Sequence, residues 1–220
     1  LWGWAEHSYP TIIQTFIFAT YITSSSFGKD TDALTAQLGN ATWIAGLIVA
    51  LIAPVIGRRS DRSGRRKFWL LVNSAILISL MFASYFVMPD PQYLMFGLVL
   101  YGVGAVIQEV AMVNYYAMLK QLSTPAKMAR LSGFAWGLGY LGGIVMLLIA
   151  LVGFYLPAHP WFGISTDGAQ NIRIMFLLSG LWMLIFSIPL AIWVPELPRD
   201  NSVPKVSFLQ SYKDLFAQIK

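Results

Sequence analysis

The chain reads as an all-α polytopic membrane protein, a bundle of six transmembrane helices. Three observations lead there. Of its 220 residues 57% are hydrophobic and only 11% are charged, whereas soluble domains carry about 25% charged residues. Six apolar runs, at 10–27, 38–57, 68–88, 92–118, 131–156 and 173–194, approach or exceed the length a helix needs to cross a bilayer, about 20 residues. The cations also segregate: every Lys and Arg except Lys29 and Arg173 follows the second, fourth or sixth run.

That asymmetry places those segments, and both termini, in the cytoplasm. An odd number of spans would destroy it, so count and orientation support each other. The breaks between runs carry turn chemistry: Phe27-Gly-Lys-Asp-Thr-Asp, Met88-Pro-Asp-Pro and Pro157-Ala-His-Pro-Trp-Phe-Gly combine helix breakers with polar residues. Residues 1–195 make the bundle. Residues 196–220 make a cytoplasmic linker, where Val206, Leu209, Tyr212, Phe216 and Ile219 form one apolar stripe. Such an amphipathic helix suits the membrane surface or a partner.

Composition also excludes function classes. The net charge of +5 lies beside membrane spans, so the lipid bilayer is the expected partner and nucleic acid is not. The chain has no cysteine, hence no disulfide framework and no thiolate metal site. There is no His/Asp/Glu cluster at metal spacing and no phosphate loop, so no metal, cofactor or catalytic residue is expected. Leu131-Ser132-Gly133 lacks the first glycine of an intramembrane serine protease, and no His lies deep in a run. The opening residues have no basic n-region, so they do not read as a cleavable signal peptide.

Polar residues inside the runs mark the functional face. At about 100° per residue, Tyr101, Gln108, Glu109, Met112, Tyr115 and Tyr116 of the fourth run share one arc. On the first run His7, Thr11, Gln14, Phe18, Tyr21 and Ser25 share a face. Such stripes must face a partner helix or a water-filled cavity. The first and fourth spans are equivalent positions if each group of three is half of an inverted repeat. Glu109 reads as the only acidic residue well inside a run. A carboxylate there is expensive, which favours a proton relay or a solute contact over a structural hydrogen bond. His7 reads as solvated, at the cytoplasmic mouth of span one, beside Ser8 and Pro10 as an N-cap and first turn. On the fifth run Gly133 and Gly137, then Gly139 and Gly143, are small residues four apart, suited to close helix approach. Trp136 and Tyr140, four apart, face either a cavity or the packing. The expected solute and ion pathway is therefore Gln14, Tyr21, Gln108, Glu109, Tyr115, Tyr116, Trp136 and Tyr140.

Four stretches carry a family resemblance. Gly57-Arg58-Arg59-Ser60-Asp61-Arg62-Ser63-Gly64-Arg65-Arg66-Lys67 resembles the signature loop of the major facilitator superfamily of secondary transporters. Arg130-Leu-Ser-Gly-Phe-Ala-Trp-Gly-Leu-Gly-Tyr-Leu-Gly-Gly143, with Asn114-Tyr-Tyr-Ala-Met-Leu119, is similar to the vacuolar amino-acid effluxers associated with autophagy and their bacterial members. Trp4-Ala5-Glu6-His7-Ser8-Tyr9 is similar to that branch's Asp-Trp-Ala-Asn-Ser-Ala-Tyr, with Gly3 for the Asp and Glu6 for the Asn. The resemblance implies a six-helix half of a twelve-span transporter, built as two inverted three-helix repeats. It implies a cytoplasmic gating loop of Gly57, Asp61, Arg62, Gly64, Arg65 and Arg66, and a second six-helix half, either on the same chain or as a partner subunit. It implies a small amino-acid-like solute, with H+ as a candidate coupling ion. A non-transporting subunit that keeps the fold is the alternative. A bacterial plasma membrane is favoured over a vacuolar one.

Overall fold

The computed structural model describes residues 1–63, 65–121 and 124–196, without the side chains of 54, 55, 57–63, 120, 121, 125 and 126. The linker expected at 196–220 lies outside these residues apart from Glu196, and so does Gly64. All regular structure among the described residues is helical. The elements are α1 (Trp2–Glu6), a π segment (Tyr9–Phe16), α2 (Phe18–Ile22), α3 (Thr31–Ser63), α4 (Arg66–Ser84), α5 (Leu94–Gln121), α6 (Pro125–Ala150) and α7 (Gln170–Trp193). A π turn, Leu151–Tyr155, extends α6. Five helices, beginning with α3, are long and apolar enough to cross a membrane. The residues expected as the first span form instead a broken helical segment, 2–22, which is not among these five.

Local chemistry explains the breaks. Asp30 Oδ1 accepts the Ala33 N–H at 3.0 Å and caps the start of α3. Asp90 Oδ1 accepts the Gln92 N–H at 2.9 Å before α5. Pro10 has no N–H to return to the carbonyl of Glu6, so the ordinary helical ladder cannot continue there. The backbone widens into the π segment, which ends with the Ile17 N–H bonded to the Ile12 carbonyl at 3.1 Å.

The broken helix is the centre of the bundle. Ala5, Tyr9, Ile12, Phe18 and Ile22 have essentially no exposure and pack with Leu70, Leu77, Met81, Met146, Phe176 and Met183. Its lower part, α1, lies on α6 and α7, while α5 lies on α3 and α4, and α4 lies on α7. Exchanging the first span with the fourth, the second with the fifth and the third with the sixth maps these pairings onto one another. That is the pseudo-two-fold of an inverted repeat.

Two expectations change. The first span begins earlier than residue 10: Trp2, Gly3, Ala5, Glu6 and Ser8 are helical or in helical turn and buried. A search for apolar runs missed them because Glu6 and His7 break the run. The gating segment is also not all loop. Helix α3 continues to Ser63, through Gly57, Asp61 and Arg62. Charges end a membrane span, but they do not end a helix. Arg65 stands at the N-cap of α4 and Arg66 begins it. Arg66 is buried and donates from Nη1 to the Ala117 carbonyl at 2.8 Å, near the end of α5. At the opposite end Arg173 donates to the Tyr85 carbonyl and lies 4.6 Å over its ring.

The glycines of α6 divide by face. A Cβ on Gly142 would lie 2.5 Å from the Trp4 carbonyl oxygen, and one on Gly139 would lie 2.6 Å from the His7 ring. Nothing lies within 4 Å at Gly133 or Gly137. Gly142→Ala is expected to destabilise the bundle by about 1–3 kcal/mol, the cost of overpacking. Gly137→Ala should be neutral or slightly stabilising, and thermal melting in detergent distinguishes the two.

Candidate functional site

The short helix α1 brings a carboxylate to mid-depth. Gln108 stands halfway along α5, and Gly139 and Gly142 stand near the middle of α6 with its π turn; these residues meet α1. On the α7 side Ser8 Oγ donates to the Ser179 carbonyl and Ser179 Oγ to the Ser8 carbonyl, each at 3.3 Å. Trp2 Nε1 donates to Ser74 Oγ of α4 at 2.9 Å. Four neighbouring helices thus fix the turn that carries Glu6 and His7.

Glu6 is 2% exposed. Gln108 Nε2 donates to its Oε1. His7 Nδ1 lies 2.8 Å from Oε2, a close contact that lacks hydrogen-bond geometry, and 3.0 Å from the Gly3 carbonyl. Both neighbours of Nδ1 are acceptors, so this nitrogen carries a proton. Glu6 Oε2 and Gln108 Oε1 are left buried with no hydrogen-bond donor.

Aromatic rings cover this pair in sequence. Trp2 meets Tyr115 at 4.7 Å between centroids and Tyr115 meets Tyr116 at 5.6 Å. Tyr116 stacks on Trp136 at 6.4 Å and 14°, and Trp136 meets Tyr140 at 5.6 Å. His7 packs edge-on against Tyr140 at 5.1 Å and Trp136 at 6.3 Å. The row crosses from α5 to α6 in front of α1.

The residues named from the sequence therefore separate. Gln108, Tyr115, Tyr116, Trp136 and Tyr140 come together around Glu6 and His7. Glu109, next to Gln108 on α5, is exposed. Tyr21 lies apart: it is buried near the Tyr85 end, donates to the Val87 carbonyl at 2.9 Å and packs on Phe27 and Phe176. Gln14 is half-buried further along the π segment, its carbonyl accepting from the Tyr101 hydroxyl at 3.4 Å. The face computed for the first span assumed α-helical turns, and the π segment breaks that register.

Two site residues escaped the sequence reading. Glu6 went unassigned, and His7 was placed at a solvated mouth; both lie at mid-depth, so Glu109 is not alone as an intramembrane carboxylate. The available signal was the helical spacing of Trp4, Ala5 and Ser8 around them, which continues the apolar face of the run beyond Pro10. A separate groove of about 520 Å³ between α3 and α5, lined by Gln37, Asn40, Ile44, Met95, Val99 and Val103 among others, contains none of the pathway residues.

Comparison with known proteins adds a family. Residues 40–220 match the family described as vacuole effluxer Atg22 like. The chain belongs to that family. It is 26% identical to the uncharacterized MFS-type transporter YxiO of Bacillus subtilis over 224 aligned residues, covering 100% of this chain and 51% of that protein. It is 30% identical to autophagy-related protein 22-1 of Aspergillus fumigatus over 69 residues, 31% of this chain and 10% of that one. Autophagy-related protein 22 of Yarrowia lipolytica is 35% identical over 72 residues, 32% and 10% respectively. The chain thus spans about half the length of the Bacillus relative. No solved structure matches. The family match includes Gln108, Tyr115, Tyr116, Trp136 and Tyr140, while Glu6 and His7 precede it.

Removing the donor that meets Glu6 should be costly. Gln108→Leu leaves a buried carboxylate short of a partner, an expected loss of about 1–3 kcal/mol. In a Glu6→Gln background the same change should cost clearly less, which a double-mutant cycle of melting temperatures in detergent reads directly.

Proposed function

We propose that this chain is one six-helix half of a secondary transporter, which moves a small amino-acid-like solute by alternating access. A second six-helix half completes the cavity, and the basic segment at Gly57–Arg66 acts as a latch between the halves. Belonging to a transporter family supports the general reading. The observation that carries the specific one is the mid-depth carboxylate of Glu6, held between two helices in equivalent positions of the repeat. Buried ionisable groups inside a membrane are costly and concentrate on ion and substrate paths.

Glutamine suits that role as partner. Its amide donates to an ionised carboxylate through Nε2 and can accept from a protonated one through Oε1. Gln108 can therefore hold Glu6 in either protonation state, which an arginine could not. Rocking of the halves would then change the access of water to Glu6 and His7 while their supports in α5, α6 and α7 stay in place.

The test is solute-driven proton flux in liposomes carrying the full-length protein. Glu6→Gln should slow flux at least about tenfold, equivalent to ~1.4 kcal/mol, and flatten its dependence on pH. Glu109→Gln should reduce flux less, because that carboxylate is exposed. Tyr21→Phe, remote from the pair, should leave the pH profile unchanged. A wild-type pH profile in Glu6→Gln would remove Glu6 from coupling, and stable co-purification with an unrelated complex without solute flux would favour a structural subunit.

A further inference from the structure

We infer that this half selects its solute by an ammonium group, received by Glu109 and the faces of Tyr116, Trp136 and Tyr140. The inference deepens the transporter reading and rests on it, since it assigns the charge of the solute end that meets this half. Three observations carry it.

The first is the aromatic row. Tyr116 is 37% exposed, Trp136 41% and Tyr140 57%, although all three belong to a continuous row of ring contacts. The row stands beside Gly133 and Gly137, which have open space in front of them. The Tyr116 and Trp136 rings stack at 6.4 Å and 14°, which holds the two as one surface. Ring faces are negative and attract cations, and substituted ammonium groups bind in such settings.

The second is the sign of the charge around the row. Glu109 stands two turns before Tyr116 on the same side of α5, and Glu6 lies against His7, which packs edge-on against Trp136 and Tyr140. Among the described side chains placed here, the charged groups are His7 and two carboxylates. A solute carboxylate would find no partner here and would have to be met by the other half.

The third is independent of both. Glu6 and Gln108 are 2% and 4% exposed, and the atoms left without a hydrogen-bond partner, Glu6 Oε2 and Gln108 Oε1, are acceptors. His7 Nδ1 stands 2.8 Å from Glu6 Oε2, so the acceptor with no neighbouring donor is Gln108 Oε1. An ammonium group brings up to three N–H donors and no acceptor, whereas a carboxylate brings acceptors only.

The experiment uses three probes of one shape and different charge: phenethylammonium, 3-phenylpropionamide and 3-phenylpropionate. Binding to the purified full-length protein is measured by calorimetry in detergent, and proton flux is measured in parallel. Phenethylammonium is expected to bind at least about tenfold more tightly than 3-phenylpropionate. Glu109→Gln and Trp136→Leu, both at exposed positions that leave the core intact, should each reduce that preference severalfold. Equal or tighter binding of the carboxylate or amide, or a preference unchanged in both variants, overturns the inference. So does the absence of binding by phenethylammonium. Ammonium preference without flux for any solute would leave the inference standing and remove the transporter reading. Flux of a solute lacking an ammonium group, with no ammonium preference, would do the reverse.

Discussion

A carboxylate at mid-depth in a membrane bundle must be surrounded before the bundle can be stable, and the structure is organised around that requirement. Glu6 is buried because α1 seats on a glycine face of α6 at Gly139, Gly142 and Gly143. The seat brings Trp4 and His7 backbone and rings against α6 at distances no Cβ would allow. It leaves the other side of α1 open to Gln108 of α5, which supplies the hydrogen bond the carboxylate needs. The same turn is tied to α7 by the paired Ser8 and Ser179 bonds and to α4 by Trp2 and Ser74. Loss of the seat would move the charge, the amide and the aromatic row together.

The π segment follows from one residue and affects the whole site. Pro10 removes an N–H from the ladder one turn after Glu6, and the helix widens over Tyr9–Phe16. Below the break, side chains face the Glu6 site. Above it, Phe18 and Tyr21 turn into a separate aromatic core with Phe27 and Phe176. One span thus contributes a polar site at mid-depth and a packed plug nearer its end. A straight helix with the same residues would have lined up His7, Gln14 and Tyr21 on one face.

Which residues share a face was legible in the sequence where the helix is regular. Gln108, Tyr115 and Tyr116 lie on one arc of α5, and Trp136 and Tyr140 are four apart on α6; ideal helical geometry places each set on a common face. The two sets meeting across α1 was not legible, since helical periodicity contains no information on which helices are neighbours. Glu6 was hidden for a different reason. A hydropathy window counts its charge against a span, whereas the folded chain offsets that charge with Gln108 and His7.

The sequence by itself determined the class of the molecule: an all-helical membrane bundle. Its length of apolar runs, its breaks and its scarcity of charge leave the backbone no other way to satisfy its hydrogen bonds in lipid. Family membership was likewise readable from the Gly57–Lys67 and Arg130–Gly143 stretches. Only the tertiary structure decided where the chemistry sits. It left Glu109 exposed and buried a second carboxylate, Glu6. It separated the buried glycines of α6 from Gly133 and Gly137, and it carried the gating segment on as helix to Ser63. Burial and partnership are properties of pairs of helices, and they come into being only when the helices pack.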